Sequence, residues 1–158
     1  LGPLAPDEPA STVREGAPVG HLKFGSMGAA VAWLAEALDD LMRREPTSYV
    51  AILALDLDSA CRWYQALELA EVPYLSLIDD QSFRFRPGIE VTDIRSSKGL
   101  EFDYVVVLGA DAHRFGVDDH SRHLLHVAAT RAAHQLWFVS TDTPSPLIPT
   151  ALSGLPGQ

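Results

Sequence analysis

At 158 residues the chain has the length of one domain, and 47% hydrophobic against 21% charged residues is the balance of a globular protein with a proper core. A net charge of −9 with only 12 Lys and Arg excludes a broad basic face that grips nucleic acid unaided, so affinity for single-stranded DNA should be about 10⁻⁴ M or weaker at physiological salt. No apolar run approaches the ~20 residues of a bilayer span, and the single Cys61 excludes an internal disulfide, so a cytoplasmic protein without membrane contact is expected.

In chain order, residues 1–18 carry Pro3, Pro6, Pro9 and Pro18 without apolar periodicity and read as a flexible lead-in. A short strand is expected at Val19–Phe24, where Leu22 and Phe24 alternate with His21 and Lys23. Ser26 offers an N-cap to a helix over Met27–Arg44, whose stripe through Leu34, Leu38 and Leu41 faces a core; Arg43 and Arg44 suit its C-terminal end and Pro46 stops it. Tyr49–Leu55 reads as a buried strand. Asp56 or Asp58 caps a helix over Ser59–Ala70 that packs Cys61, Trp63 or Tyr64, and Leu67; no motif around Cys61 suggests a nucleophile. Tyr74–Ile78 is a short strand, and Asp79–Gly88 a polar loop holding Phe83 and Phe85.

Residues 89–109 read as strand, polar elbow, strand. Ile89, Val91 and Ile94 belong to a β-prone run, and Tyr104–Leu108 is continuously apolar, as a strand buried on both faces of a parallel sheet must be. Between them, Arg95 to Asp103 places two hydroxyls, two cations and two carboxylates around Gly99. A glycine there lets backbone amides approach a phosphate closely, and Ser96 and Ser97 can donate to one. A loop follows at His113–Asp119, then a helix over His120–His134, a last strand at Leu136–Ser140 and, from Thr141, a Pro- and Gly-rich tail that should be loosely held. His113, His120, His123, His126 and His134 fall close together, but without the carboxylate or thiolate pattern of a zinc site, so no metal is expected. Alternation of strands and helices predicts an α/β three-layer parallel-sheet sandwich over 19–140, between the lead-in 1–18 and the tail 141–158.

Two stretches resemble a known family. Ser96-Ser97-Lys98-Gly99-Leu100-Glu101-Phe102-Asp103 is similar to motif V of superfamily 1 helicases of the UvrD/Rep type, and Leu124-Leu125-His126-Val127-Ala128-Ala129-Thr130-Arg131-Ala132 is similar to their motif VI, with His126 where a tyrosine is usual. The resemblance implies a RecA-like second motor domain without its own phosphate loop, since no Gly-x-x-x-x-Gly-Lys-Ser/Thr is present. It implies that Arg131 is the catalytic arginine finger, reaching the γ-phosphate of ATP held by an N-terminal motor domain, because a guanidinium stays charged and spreads its donors over developing phosphate charge. Gly99 and Glu101 would bind the nucleotide, at the γ-phosphate and the ribose hydroxyl. Arg95, Ser96, Ser97 and Lys98 would contact single-stranded DNA. ATP and Mg²⁺ are thus expected only in the full-length context, and the chain alone should be inactive.

One departure concerns a second γ-phosphate arginine. Ala51-Ile52-Leu53 resembles the strand of motif IV, but Ala54-Leu55 stand where a tyrosine-arginine pair is expected. Another is spacing: Leu55 and Ser96 are too close to enclose the large regulatory insertion of Rep-like enzymes, a layout closer to the HelD and DNA helicase IV branch. Some of that branch act on RNA polymerase. The rival reading is therefore a degenerate helicase-like module docking on RNA polymerase or a repair protein, in which Arg131 would sit in a structural ion pair.

Overall fold

The computed structural model describes residues 18–78 and 86–148. The lead-in before Pro18, the Phe83 and Phe85 loop and the tail beyond Ile148 lie outside the described residues. Six strands form one all-parallel sheet: β1 (Val19–Lys23), β2 (Tyr49–Ala54), β3 (Leu75–Leu77), β4 (Gly88–Asp93), β5 (Phe102–Leu108) and β6 (Ala132–Ser140), in the order β1-β6-β5-β2-β4-β3. Among the described residues three α-helices cover it: α1 (Met27–Arg44), α2 (Leu57–Leu69) and α3 (Asp119–Ala129). This is the expected α/β three-layer sandwich.

Alternation along the strands sorts the core into two layers. Val50 and Ile52 of β2, with Val106 of β5 and Trp137 of β6, face α1 and α2; Ala51, Leu53, Val105, Val107 and Phe138 face α3. Because both faces are covered, β2 and the Tyr104–Leu108 run of β5 are continuously apolar rather than alternating, while β4 carries the buried polar Glu90 and Thr92. Ser26 caps α1, accepting from the Ala29 amide, and Asp56 rather than Asp58 caps α2, accepting from Ser59 N. On α2 it is Trp63, not Tyr64, that is buried, and Cys61 is half-buried rather than part of the core.

The helix expected over His120–His134 ends five residues early. Thr130 closes α3, its amide donating to the carbonyls of His126 and Val127, and β6 starts at Ala132. Helix propensity in Ala-Ala-Thr-Arg-Ala-Ala is high, but the ladder to β5 wins: Phe102 pairs with Ala132, and Phe102 N donates to the Arg131 carbonyl at 2.8 Å. Arg131 therefore occupies a tight turn, not a helix. Of the tail, Thr141–Ile148 folds back on the sheet, with Ser145 N on the Ala110 carbonyl, Ser145 Oγ on the Phe115 carbonyl and Ile148 buried.

Candidate functional site

The link between β4 and β5 positions the elbow. It has only residues 94–101 to leave the C-terminal end of β4 and reach the N-terminal end of β5, two positions away with β2 between them. It does so with one 3₁₀ turn, Arg95–Ser97, and then a β-turn in which Leu100 N donates to the Ser97 carbonyl at 3.0 Å. Lys98 at φ −61°, ψ 132° and Gly99 at φ +84° have the angles of a type II turn, whose third position favours glycine. Gly99 is exposed, a Cβ on it would meet nothing within 4 Å, and its amide has no backbone partner among the described residues.

The two motifs meet at this turn. Arg131 Nη1 donates to the Ser97 carbonyl at 3.4 Å and Nη2 to Thr130 Oγ1 at 2.9 Å, while Nε is buried without a partner among the described residues. Both partners are neutral, and no described carboxylate pairs with Arg131. Lys98 and Glu101, close to Gly99 in the chain, are both exposed. Gly99, Glu101 and Arg131 are thus gathered at one end of the sheet, but it is the N-terminal end, since Glu101 and Arg131 each immediately precede a strand. The usual location of ligands, outside the C-terminal ends, does not apply to them. The short link is the reason: by its last residues it has already crossed the sheet.

Arg95 and Ser96 stay at the C-terminal end. Arg95 Nη2 lies 3.3 Å from His120 Nε2, and Ser96 Oγ donates to Asp93 Oδ1 at 2.6 Å. Ser97 is buried, its hydroxyl donating to the Ile94 carbonyl at 2.6 Å. Thus the four predicted nucleic-acid residues do not form one surface: Arg95 and Ser96 face the C-terminal end, Ser97 faces inward, and Lys98 belongs to the turn beside Gly99. A cavity of about 420 Å³ at the C-terminal end is lined by Asp56, Asp93, Arg95, Arg114, Asp118 and His120, among others. Arg114 was not singled out by sequence, where it lay in a featureless loop. It bonds Ser59 Oγ and lies 3.6 Å from Asp56 Oδ2, between this cavity and one of about 230 Å³. Its position soon after the C-terminal end of β5 was the available signal. Asp56 and Asp118 cap α2 and α3, and the amides of Ser59 and Ser121 hold their carboxyls below the ordinary carboxylate range. Carboxylates outnumber arginines here, in keeping with the charge of the whole chain.

Leu55 is at this same C-terminal end, the far side of the sheet from Arg131. The position where the tyrosine-arginine pair is expected, Ala54-Leu55, thus lies at the opposite end of the sheet from the Arg131 cluster. Among the described residues no group of His, Cys, Asp or Glu is placed to hold a metal, and no helix is long and apolar enough to cross a membrane.

The fold and the cluster together define an α/β domain that presents an unpaired arginine and an open glycine turn at the N-terminal end of a parallel sheet. Residues 88–139, from β4 nearly to the end of β6, match the UvrD-like helicase C-terminal domain family. The crystal structure of the C-terminal domain of a possible DNA helicase from Lactobacillus plantarum WCFS1 is similar over 89% of this chain and 86% of that one, at 28% identity and a TM-score of 0.73. No curated protein matches significantly. By family over its second half and by fold over most of its length, the chain resembles a UvrD-like helicase C-terminal domain.

Proposed function

We propose that the chain is the C-terminal motor domain of an ATP-dependent superfamily 1 DNA helicase or translocase, working in the cytoplasm with an N-terminal ATP-binding domain. Arg131 reaches the γ-phosphate of ATP held by that partner, with the Gly99 amide beside the same phosphate and Glu101 accepting from the ribose hydroxyl. Of the four residues expected to contact single-stranded DNA, Arg95 and Ser96 at the C-terminal end do so locally and weakly, while Ser97 is turned inward and Lys98 lies beside Gly99. ATP and its Mg²⁺ come with the partner, which supplies the phosphate loop absent here.

One observation carries this reading: the Arg131 guanidinium is held by two neutral acceptors, with a buried Nε left unpaired. An unpaired buried donor costs about 1–3 kcal/mol, and an anion from outside relieves that cost. The rival docking module expects a structural ion pair for Arg131, and no described carboxylate supplies one. The layout is taken as near that of HelD and DNA helicase IV on sequence spacing alone, since Leu55 and Ser96 lie too close to enclose a large insertion.

The test is ATP turnover by the chain joined to its N-terminal domain. Arg131→Ala should lower kcat by about 10³ or more, while ATP binding changes far less, because the arginine acts on charge that develops in the transition state. A variant that keeps turnover within tenfold of the parent would sink the motor reading.

A further inference from the structure

The Arg131 side chain has one hydrogen bond of ordinary length, and it is to the neighbouring residue. Nη2 meets Thr130 Oγ1 at 2.9 Å, whereas Nη1 reaches the Ser97 carbonyl only at 3.4 Å, beyond the usual range, and Nε meets nothing described. Thr130 is itself tied down. Its hydroxyl donates to the Val127 carbonyl at 2.9 Å, so the proton is committed to α3 and the oxygen lone pairs are what the guanidinium meets. The backbone on both sides is fixed too, since Arg131 N donates to the Ala128 carbonyl at 3.1 Å and its own carbonyl accepts from Phe102 N. What remains free in Arg131 is its side-chain torsions, and Thr130 restrains their far end.

We infer that Thr130 is a positioning residue for Arg131, holding the guanidinium at the N-terminal end of the sheet through Oγ1; its value for catalysis rests on the motor reading above. A hydroxyl suits this role better than a carboxylate. A carboxylate would hold the arginine more tightly but would form an ion pair, and an incoming phosphate would have to displace it. A neutral acceptor orients the group and leaves its charge available. Arginine has large rotamer entropy, and restraint before the phosphate arrives removes part of that loss from the productive encounter.

The experiment uses isotope-labelled chain 1–158 and the variants Thr130→Val and Thr130→Ser. Valine keeps the shape and removes the acceptor; serine keeps the acceptor. NMR relaxation and exchange at the Arg131 Nε and Nη groups report guanidinium rotation without any nucleotide, and the backbone amide spectrum reports whether the fold is intact. Thr130→Val should speed rotation about tenfold, the equivalent of one ordinary hydrogen bond, and Thr130→Ser should stay within about twofold of the parent. Unchanged rotation in Thr130→Val, or a serine variant as loose as the valine one, overturns the assignment. In the joined motor Thr130→Val should lower kcat for ATP about tenfold with KM altered less, and serine should restore it. Normal turnover by Thr130→Val alongside an inactive Arg131→Ala also overturns it. Normal turnover by Arg131→Ala instead refutes the arginine finger alone, because guanidinium rotation is read separately.

Discussion

Replacing Leu55 with arginine should leave ATP turnover by the joined motor unchanged, although family resemblance places an arginine there. The register supplies the distance. Val50 of β2 pairs with Tyr104 of β5, and Phe102 pairs with Ala132. Glu101 and Arg131 thus lie level with Thr47, three residues before Val50, whereas Leu55 lies five after it, eight residues apart in all. At a rise of about 3.3 Å per residue the separation is roughly 26 Å along the strands. Two unit charges that far apart interact by about 0.2 kcal/mol in water, a factor of about 1.3 in rate, and salt screens even that. Direct contact with the same phosphate is out of reach. Steady-state hydrolysis by the parent, Leu55→Arg and Arg131→Ala forms of the joined protein is the assay. A tenfold or greater gain from Leu55→Arg would mean that the nucleotide sits at the C-terminal end and that the two-ended arrangement is wrong.

Two further expectations concern the fold. Gly88→Ala should destabilise the chain by about 2 kcal/mol, lowering Tm by roughly 4–8 °C: the residue has φ +143°, and a Cβ would come 3.1 Å from the Tyr74 carbonyl oxygen. Gly25→Ala, where a Cβ meets nothing within 4 Å, is the control and should move Tm little in the same thermal melts. Burial lowers the pKa of His21 below its ordinary 6.5, outweighing nearby Asp111, so the folded chain holds a neutral imidazole, with Nε2 3.0 Å from Ser140 Oγ. The unfolded chain then binds a proton near pH 6.5 that the folded one refuses, so this contribution is intact above that pH and is lost as pH falls below it. Urea titrations at pH 7 and 5.5 should show that loss, and His21→Gln should reduce it; an equal pH dependence in the variant would refute the assignment.

How much was legible in the sequence differs between the layers and the site. The strands β2 and β5 announce themselves as continuous apolar runs because both faces of the sheet are covered, and β4 as a β-prone run through Ile89 and Val91. Helix α1 begins where its cap says it should and ends before Pro46, since cap chemistry and proline sterics act locally. The end of α3 does not, because Ala129-Thr130-Arg131-Ala132 contains neither glycine nor proline, and the stop is enforced by a ladder to Phe102 far away in sequence. Gathering of Gly99, Glu101 and Arg131 followed from the motifs, but their end of the sheet did not. A hint was present: eight residues between β4 and β5 are too few for a crossover helix, so the link must spend its length travelling back along the sheet. Thr130 carries no local signal of its own in the sequence, and in the structure one hydroxyl serves α3 and Arg131 together.

The end at which Arg131 stands also decides how a partner must approach. A partner with its own phosphate loop holds nucleotide outside the C-terminal ends of its strands, at a helix N-terminus. For Arg131 to touch the terminal phosphate there, the N-terminal end of this sheet must face the C-terminal end of the partner's. On the motor reading the two sheets therefore stack head to tail, which leaves this domain's own C-terminal end, with Arg95 and Arg114, turned away from the nucleotide. The link 94–101 then touches both ends: Arg95 lines the C-terminal cavity, and two residues later the Ser97 carbonyl lies 3.4 Å from Arg131 Nη1. A strand of nucleic acid drawn across Arg95 and Ser96 would pull on the same few peptide bonds that support the arginine. On the motor reading, a domain without a phosphate loop would make hydrolysis depend on nucleic acid through this link, because the Ser97 carbonyl near Arg131 lies in the same 3₁₀ turn as Arg95 and Ser96.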